Sequence, residues 1–209
     1  MIFRLDKRLV FPDPALADAD GLLAVGGDLS AERLILAYAH GIFPWYSEGE
    51  PILWYSPHER FVLRPDDVHI SHSMRQLIRS DKYQVTWDRA FADVIHHCSS
   101  IKRPGQKGTW ITKEMKGAYT ALHHIGTAHS VEVWYEGNLV GGLYGVASGA
   151  VFCGESMFSS MPDTSKLALI YLCQQQPYRL IDCQMHTPHL ERMGGRYIDR
   201  DSYTRFLMY

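Results

Sequence analysis

Apolar residues recur along this chain with two periods. From Tyr83 to Trp87 they alternate with polar ones, as on a half-buried strand. Phe91, Val94, Ile95 and Cys98 then fall at i, i+3, i+4 and i+7, the apolar face of a helix that Asp88 is placed to cap. Thr112 opens a second helix with Met115, Ala118, Tyr119 and Leu122 inward, and Gly126 stops it. His129 to Tyr135 and Leu139 to Ala147 flank Gly137-Asn138 as a hairpin, with Ala150 to Cys153 as a third antiparallel strand. Asp163 or Thr164 opens a helix carrying Leu167, Ile170 and Tyr171 on one side. The next strand, Arg179-Leu180-Ile181, runs into Asp182-Cys183-Gln184. A short helix near 187–193 stops at Gly194-Gly195, and a terminal helix follows Asp201.

The first third is patterned differently. Gly21 to Asp28 reads as a short buried strand ending in a glycine turn. Ser30 then caps a helix with Leu34, Ile35 and Tyr38 on its apolar face, stopped by Gly41. Dense aromatics follow among prolines, Phe43-Pro44-Trp45-Tyr46 and Ile52-Leu53-Trp54-Tyr55-Ser56-Pro57. They either pack this unit against the larger one or line a cleft. Residues 1–62 are predicted to form a small N-terminal α/β domain and 63–209 the larger domain, with 63–82 as a connector. If 71–80 is helical, Arg75, Arg79 and Lys82 share a stripe, which is either a solvated face or a ridge for phosphates.

The order of the larger unit, β-α-α-β-β-β-α-β-α, resembles that of the GNAT acyltransferases, whose sheet opens into a V between the fourth and fifth strands. The expected fold class is therefore α+β, a small domain plus a GNAT-like domain with a mixed, mainly antiparallel sheet. The strand ends carrying Glu155 and Asp182-Cys183-Gln184 would border that opening, where sheets of this kind bind ligands.

Composition narrows the chemistry. The chain has 209 residues, 46% of them hydrophobic, and a net charge of -2, so only local clustering can mark a nucleic-acid partner. No apolar run reaches membrane-spanning length, and the charged start is not a signal peptide, so no membrane partner is expected. Cys98, Cys153, Cys173 and Cys183 lack Cys-x-x-Cys spacing and read as reduced thiols of a cytoplasmic protein. The 11 histidines form no metal-ligating motif, and no Gly-x-Ser-x-Gly elbow is present. Before the helix at 164, Ser159 to Thr164 offers an acid and no glycines where a coenzyme A pyrophosphate would sit, which argues against that cofactor.

Asp182 and Gln184, two apart on a strand, are expected on one face. With Glu155 they suit a cationic amine whose proton must be accepted during attack on an ester. Asp182 could equally cap the 187–193 helix.

Six blocks, in order along almost the whole chain, resemble the leucyl/phenylalanyl-tRNA–protein transferases: Gly21 to Leu29, Gly41-Ile42-Phe43-Pro44-Trp45, Ile52 to Pro57, Gly108-Thr109-Trp110-Ile111-Thr112, Phe152 to Ser159, and Ile181-Asp182-Cys183-Gln184. The resemblance implies transfer of Leu or Phe, and less well Met, from aminoacyl-tRNA to the α-amino group of proteins beginning with Lys or Arg. The product is an N-degron of the bacterial N-end rule, made without metal or cofactor. It places the catalytic positions on Asp182 and Gln184, and the aminoacyl side-chain pocket on Leu143, Phe152, Met157, Leu169, Leu172 and Ile181. The acceptor peptide falls to Tyr38, Trp45, Trp110, Tyr119 and Glu155. The tRNA is assigned to Arg75, Arg79 and Lys82, with the loop of Lys102, Arg103 and Lys107 second. Thr187 departs from the Asn expected there. A monomer is expected.

Overall fold

The computed structural model describes residues 2–101 and 110–208. The small unit is a four-stranded sheet, order β1-β2-β4-β3, made of β1 (Phe3–Leu5), β2 (Leu22–Gly26), β3 (Phe43–Pro44) and β4 (Leu53–Tyr55), with helix α1 (Ala31–Ala39) between β2 and β3. β1 and β2 are parallel and the remaining pairs antiparallel.

The larger unit is built from β5 (Glu59–Leu63), α2 (His72–Arg79), β6 (Gln84–Trp87), α3 (Phe91–Ser100), α4 (Lys113–His124), β7 (Ala128–Tyr135), β8 (Asn138–Ser148), β9 (Val151–Ser159), α5 (Thr164–Gln175), β10 (Leu180–Gln184), α6 (Pro188–Arg192), β11 (Arg196–Asp199) and α7 (Arg200–Leu207). Among the described residues its seven strands run β11-β5-β10-β9-β8-β7-β6, and only β9 and β10 are parallel. The mixed, mainly antiparallel sheet and the order from β6 to α6 are those of the GNAT-like domain read from the sequence.

Several local expectations are refined. Strand β5 lies inside the large sheet, so a division at 62/63 runs through it. Neither β5 nor β11 was foreseen. Asp88 does not cap α3. It sits at φ 57° and accepts the Ser130 N–H at 2.8 Å, with His129 Nδ1 at 2.6 Å. The start of α3 is served instead by Glu132, fully buried, whose carboxylate accepts the N–H groups of Arg89 and Ala90. Thr112 caps α4 as expected, and Thr187 caps α6 through the Leu190 N–H, so Asp182 does not cap that helix.

Two buried clusters sandwich the large sheet. On one side Leu23, Leu34 and Trp54 of the small unit are continuous with Phe91, Met115, Tyr119 and Tyr144, and α7 adds Tyr203. On the other, Leu169, Ile170 and Leu172 of α5 pack with Phe152, Ile181, Met74 of α2 and Leu190 of α6. The small unit therefore shares a core with the larger one, and the edge of that shared core is where the site lies.

Candidate active site

β9 and β10 pair only through Leu180–Val151, Ile181–Phe152 and Asp182–Cys153. Beyond that point β9 stays with β8 and β10 with β5, and the two diverge into a V. Each strand carries a bulge there. In β9, Gly145 of β8 opposes Gly154 and Tyr144 opposes Ser156, so Glu155 is the extra residue. Glu155 is thus in the middle of a long strand rather than at the strand end expected. In β10, Asp182 opposes Val62 and Gln184 opposes Phe61, leaving Cys183 extra. A bulge re-aims the side chains that follow it. Phe152 and Met157, five residues apart, would face opposite sides of an unbroken strand, yet both belong to the α5 side. Gly145 permits the bulge, since a Cβ there would overlap the Cys153 carbonyl.

The V opens into a cavity of about 580 Å³. Its apolar lining includes Leu143, Phe152, Met157, Leu169, Leu172 and Ile181, all six residues assigned by resemblance to a side-chain pocket. Glu155, Asp182 and Gln184 also line it. So do Trp45 and Trp110 at one side, the first 38% exposed and the second half-buried. Phe43, one of the aromatics that the sequence offers to a cleft, lines it too, as do Met185, His186 and His189, which are not among the residues assigned to the site.

Glu155 is 8% exposed and closely held. Tyr38 donates to Oε1 at 2.7 Å and Tyr119 to Oε2 at 3.1 Å, their hydroxyls 2.6 Å apart, and Gln184 Nε2 donates to Oε1 at 2.9 Å. Burial pushes the Glu155 carboxyl up to about 7, against the lowering effect of its tyrosine and glutamine donors. Burial also raises both tyrosines well above their ordinary value, so they remain donors. Tyr38 and Tyr119 are buried behind Glu155 rather than in the cavity wall, and touch what the cavity holds only through that carboxylate.

Asp182 is fully buried. Its Oδ2 accepts Arg60 Nη2 at 2.6 Å, Arg60 Nε at 3.2 Å and the Tyr203 hydroxyl at 2.9 Å, and its Oδ1 accepts the Gln184 backbone N–H at 2.8 Å. Strand alternation does not relate Asp182 to Gln184. The Cys183 bulge and the Gln184 φ of 59° replace it with that side chain–backbone bond. Cys183 is half-buried and lines the cavity.

Arg75, Arg79 and Lys82 are exposed on or just after α2, and Lys82 Nζ lies over the Tyr83 and Tyr135 rings. Lys102, Arg103 and Lys107 lie outside the described residues. No cluster of three His, Cys, Asp or Glu that could hold a metal occurs among the described residues, and no helix of theirs is long and apolar enough to cross a membrane.

Comparison with known proteins places the site in a family. A family model described as "Leucyl/phenylalanyl-tRNA protein transferase" matches residues 62–208, and the model of its N-terminal domain matches residues 27–58. The chain is 56% identical over 206 residues to the leucyl/phenylalanyl-tRNA–protein transferase of Syntrophus aciditrophicus, which covers 97% of this chain and 86% of that protein. The corresponding transferase of Syntrophobacter fumaroxidans is 54% identical over 209 residues, covering 99% of this chain and 89% of that protein. That of Flavobacterium psychrophilum is 52% identical, with coverage of 97% and 98%. With one model spanning well over half the chain and relatives at this identity along nearly all of it, the chain belongs to the leucyl/phenylalanyl-tRNA–protein transferase family.

Proposed function

We propose that the V between β9 and β10 transfers leucine or phenylalanine from aminoacyl-tRNA to the α-amino group of a polypeptide beginning with Lys or Arg. The observation that carries this reading is the pairing of an apolar cavity with the buried Glu155 carboxylate and the Gln184 amide in its wall. The six apolar residues take the aminoacyl side chain. This apolar lining suits leucine and phenylalanine, and the unbranched thioether of Met157 adapts to each; slower use of methionine is what the family resemblance implies. Valine and isoleucine, branched at Cβ, should fit this lining poorly by shape.

The acceptor enters with a cationic first side chain beside its α-ammonium. Glu155 draws in this cationic start and, with a carboxyl near 7, takes up the proton of the α-ammonium. The neutral nitrogen attacks the ester carbonyl carbon, the new C–N bond forms, and the C–O bond to the terminal ribose breaks, with a proton passing to the departing ribose oxygen. Gln184, held between Asp182 and Glu155, positions the reacting carbonyl and amine. Much of the acceleration comes from placement, because the ester is already activated. Trp45 and Trp110 guide the acceptor chain. The exposed Arg75, Arg79 and Lys82 meet the tRNA backbone.

The test is a donor panel with one Arg-initiated peptide. Leucyl- and phenylalanyl-tRNA should both transfer, methionyl-tRNA more slowly, and valyl- and isoleucyl-tRNA at least about tenfold more slowly than leucyl. Equal transfer of valine would contradict the pocket assignment. No transfer from any donor would contradict the reaction.

A further inference from the structure

Gln184 has a left-handed backbone, φ 59°, which a non-glycine residue keeps only when its surroundings hold it there. The group that holds it is Asp182, through the 2.8 Å bond from the Gln184 N–H to Oδ1. Asp182 borders the cavity, but its carboxylate is already engaged within the protein. It is fully buried, and Oδ2 is occupied by the Arg60 fork and the Tyr203 hydroxyl. Arg60 is itself fixed from several directions. Its Nη1 donates to the Gly41 carbonyl at 3.0 Å, just past α1, and its guanidinium lies 4.8 Å from the Phe43 ring centre and 4.5 Å from that of Tyr203. Gly41 and Phe43 belong to the small unit, and Phe43 lines the cavity. Tyr203 belongs to α7 and Asp182 to β10. One buried arginine thus ties three parts of the fold to a single carboxylate.

We infer that Arg60 and Tyr203 are positioning residues for the transfer reaction. Through Asp182 they fix the backbone turn that aims the Gln184 amide at Glu155, and through Gly41 and Phe43 they link that aim to the seating of the small unit. Asp182 then acts by holding Gln184, and moves no proton. The inference rests on the reading of Gln184 given above, and its test separates the two.

The experiment is a double-mutant cycle on leucine transfer from leucyl-tRNA to an Arg-initiated peptide. The variants are Tyr203→Phe, Arg60→Lys, Gln184→Ala, and the two doubles with Gln184→Ala. Tyr203→Phe keeps the ring and removes one hydrogen bond. Arg60→Lys keeps the charge and loses the fork. Thermal melts establish that each is folded, and Tyr203→Phe carries the test if Arg60→Lys is not. We expect Gln184→Ala to lower kcat by at least tenfold, Arg60→Lys by about tenfold and Tyr203→Phe by severalfold, with the KM for leucyl-tRNA within about twofold of wild type. On the Gln184→Ala background neither should lower kcat further. A general loosening of the fold would instead lower it in both backgrounds. If Gln184→Ala is impaired but the effects multiply, or if Tyr203→Phe has wild-type kcat, this inference fails and the reading of Gln184 stands. If Gln184→Ala transfers at the wild-type rate, both fail.

Discussion

At the scale of single residues, the site turns on how one buried carboxylate is held. Glu155 is almost sealed from solvent, and burial lifts its carboxyl from 4.5 to about 7. The folded protein therefore binds this proton more tightly than the unfolded chain does. Stability is highest below the unfolded value and falls as pH rises from about 4.5 towards 7, by about 3 kcal/mol in all. Glu155→Gln removes the titration. Between pH 5 and 8, denaturant midpoints of wild type should fall relative to those of Glu155→Gln, and parallel midpoints would contradict the raised value. The same carboxylate predicts that kcat/KM for the acceptor rises through about pH 7, below the pH at which a free α-amine titrates.

Residue types made Glu155, Asp182 and Gln184 legible as candidates, because two acids and an amide follow two short apolar runs. What they do was not legible. Asp182 is paired with Arg60, 122 positions away, and no short-range pattern links them. Tyr38 and Tyr119, which the resemblance assigns to the acceptor peptide, lie behind Glu155 and donate to its carboxylate.

At the scale of elements, most helices and strands of the larger unit could be read because their apolar periods are long and unbroken. β5 and β11 escaped because each is short, flanked by proline or glycine, and rich in charged residues that snorkel or pair: Arg60 and Arg196 both lie in them. The β10 bulge at Cys183 has no residue signature, whereas Gly154, an isolated glycine within β9, was the available signal for the bulge that brings Phe152, Glu155 and Met157 to one cavity. Gly145, opposite the β9 bulge, has no room for a methyl group. Gly145→Ala should therefore shift the bulge, cut transfer by tenfold or more and destabilise the fold by about 1–3 kcal/mol. Wild-type activity in that variant would show that the bulge does not set the site. A gentler change, Leu172→Phe, narrows the cavity from the α5 side. It should depress phenylalanine transfer more than leucine transfer, read as the ratio of kcat/KM values.

At the scale of the whole molecule, the reaction needs two large substrates to meet at one cavity. The small unit supplies Phe43, Pro44 and Trp45 to the cavity wall and, through Tyr38, one of the two hydroxyls on Glu155. The α2 side presents Arg75, Arg79 and Lys82 to solvent. Replacing any of these three with alanine should weaken tRNA binding by a similar factor for each donor tRNA and lower the slope of log affinity against log salt by about 1. An unchanged slope would move the RNA elsewhere.

The central claim is that Glu155 in the wall of the apolar cavity receives a cationic amino terminus for attack on the aminoacyl ester. It is tested most directly by transfer of labelled leucine from leucyl-tRNA to three peptides that differ only at the start: Arg, Glu, and acetylated Arg. The account predicts transfer to the Arg peptide, none to the acetylated one, and at least about hundredfold less to the Glu peptide. It also predicts that Glu155→Gln loses most of the Arg preference. Comparable transfer to the Glu peptide, or an Arg preference intact in Glu155→Gln, would contradict it.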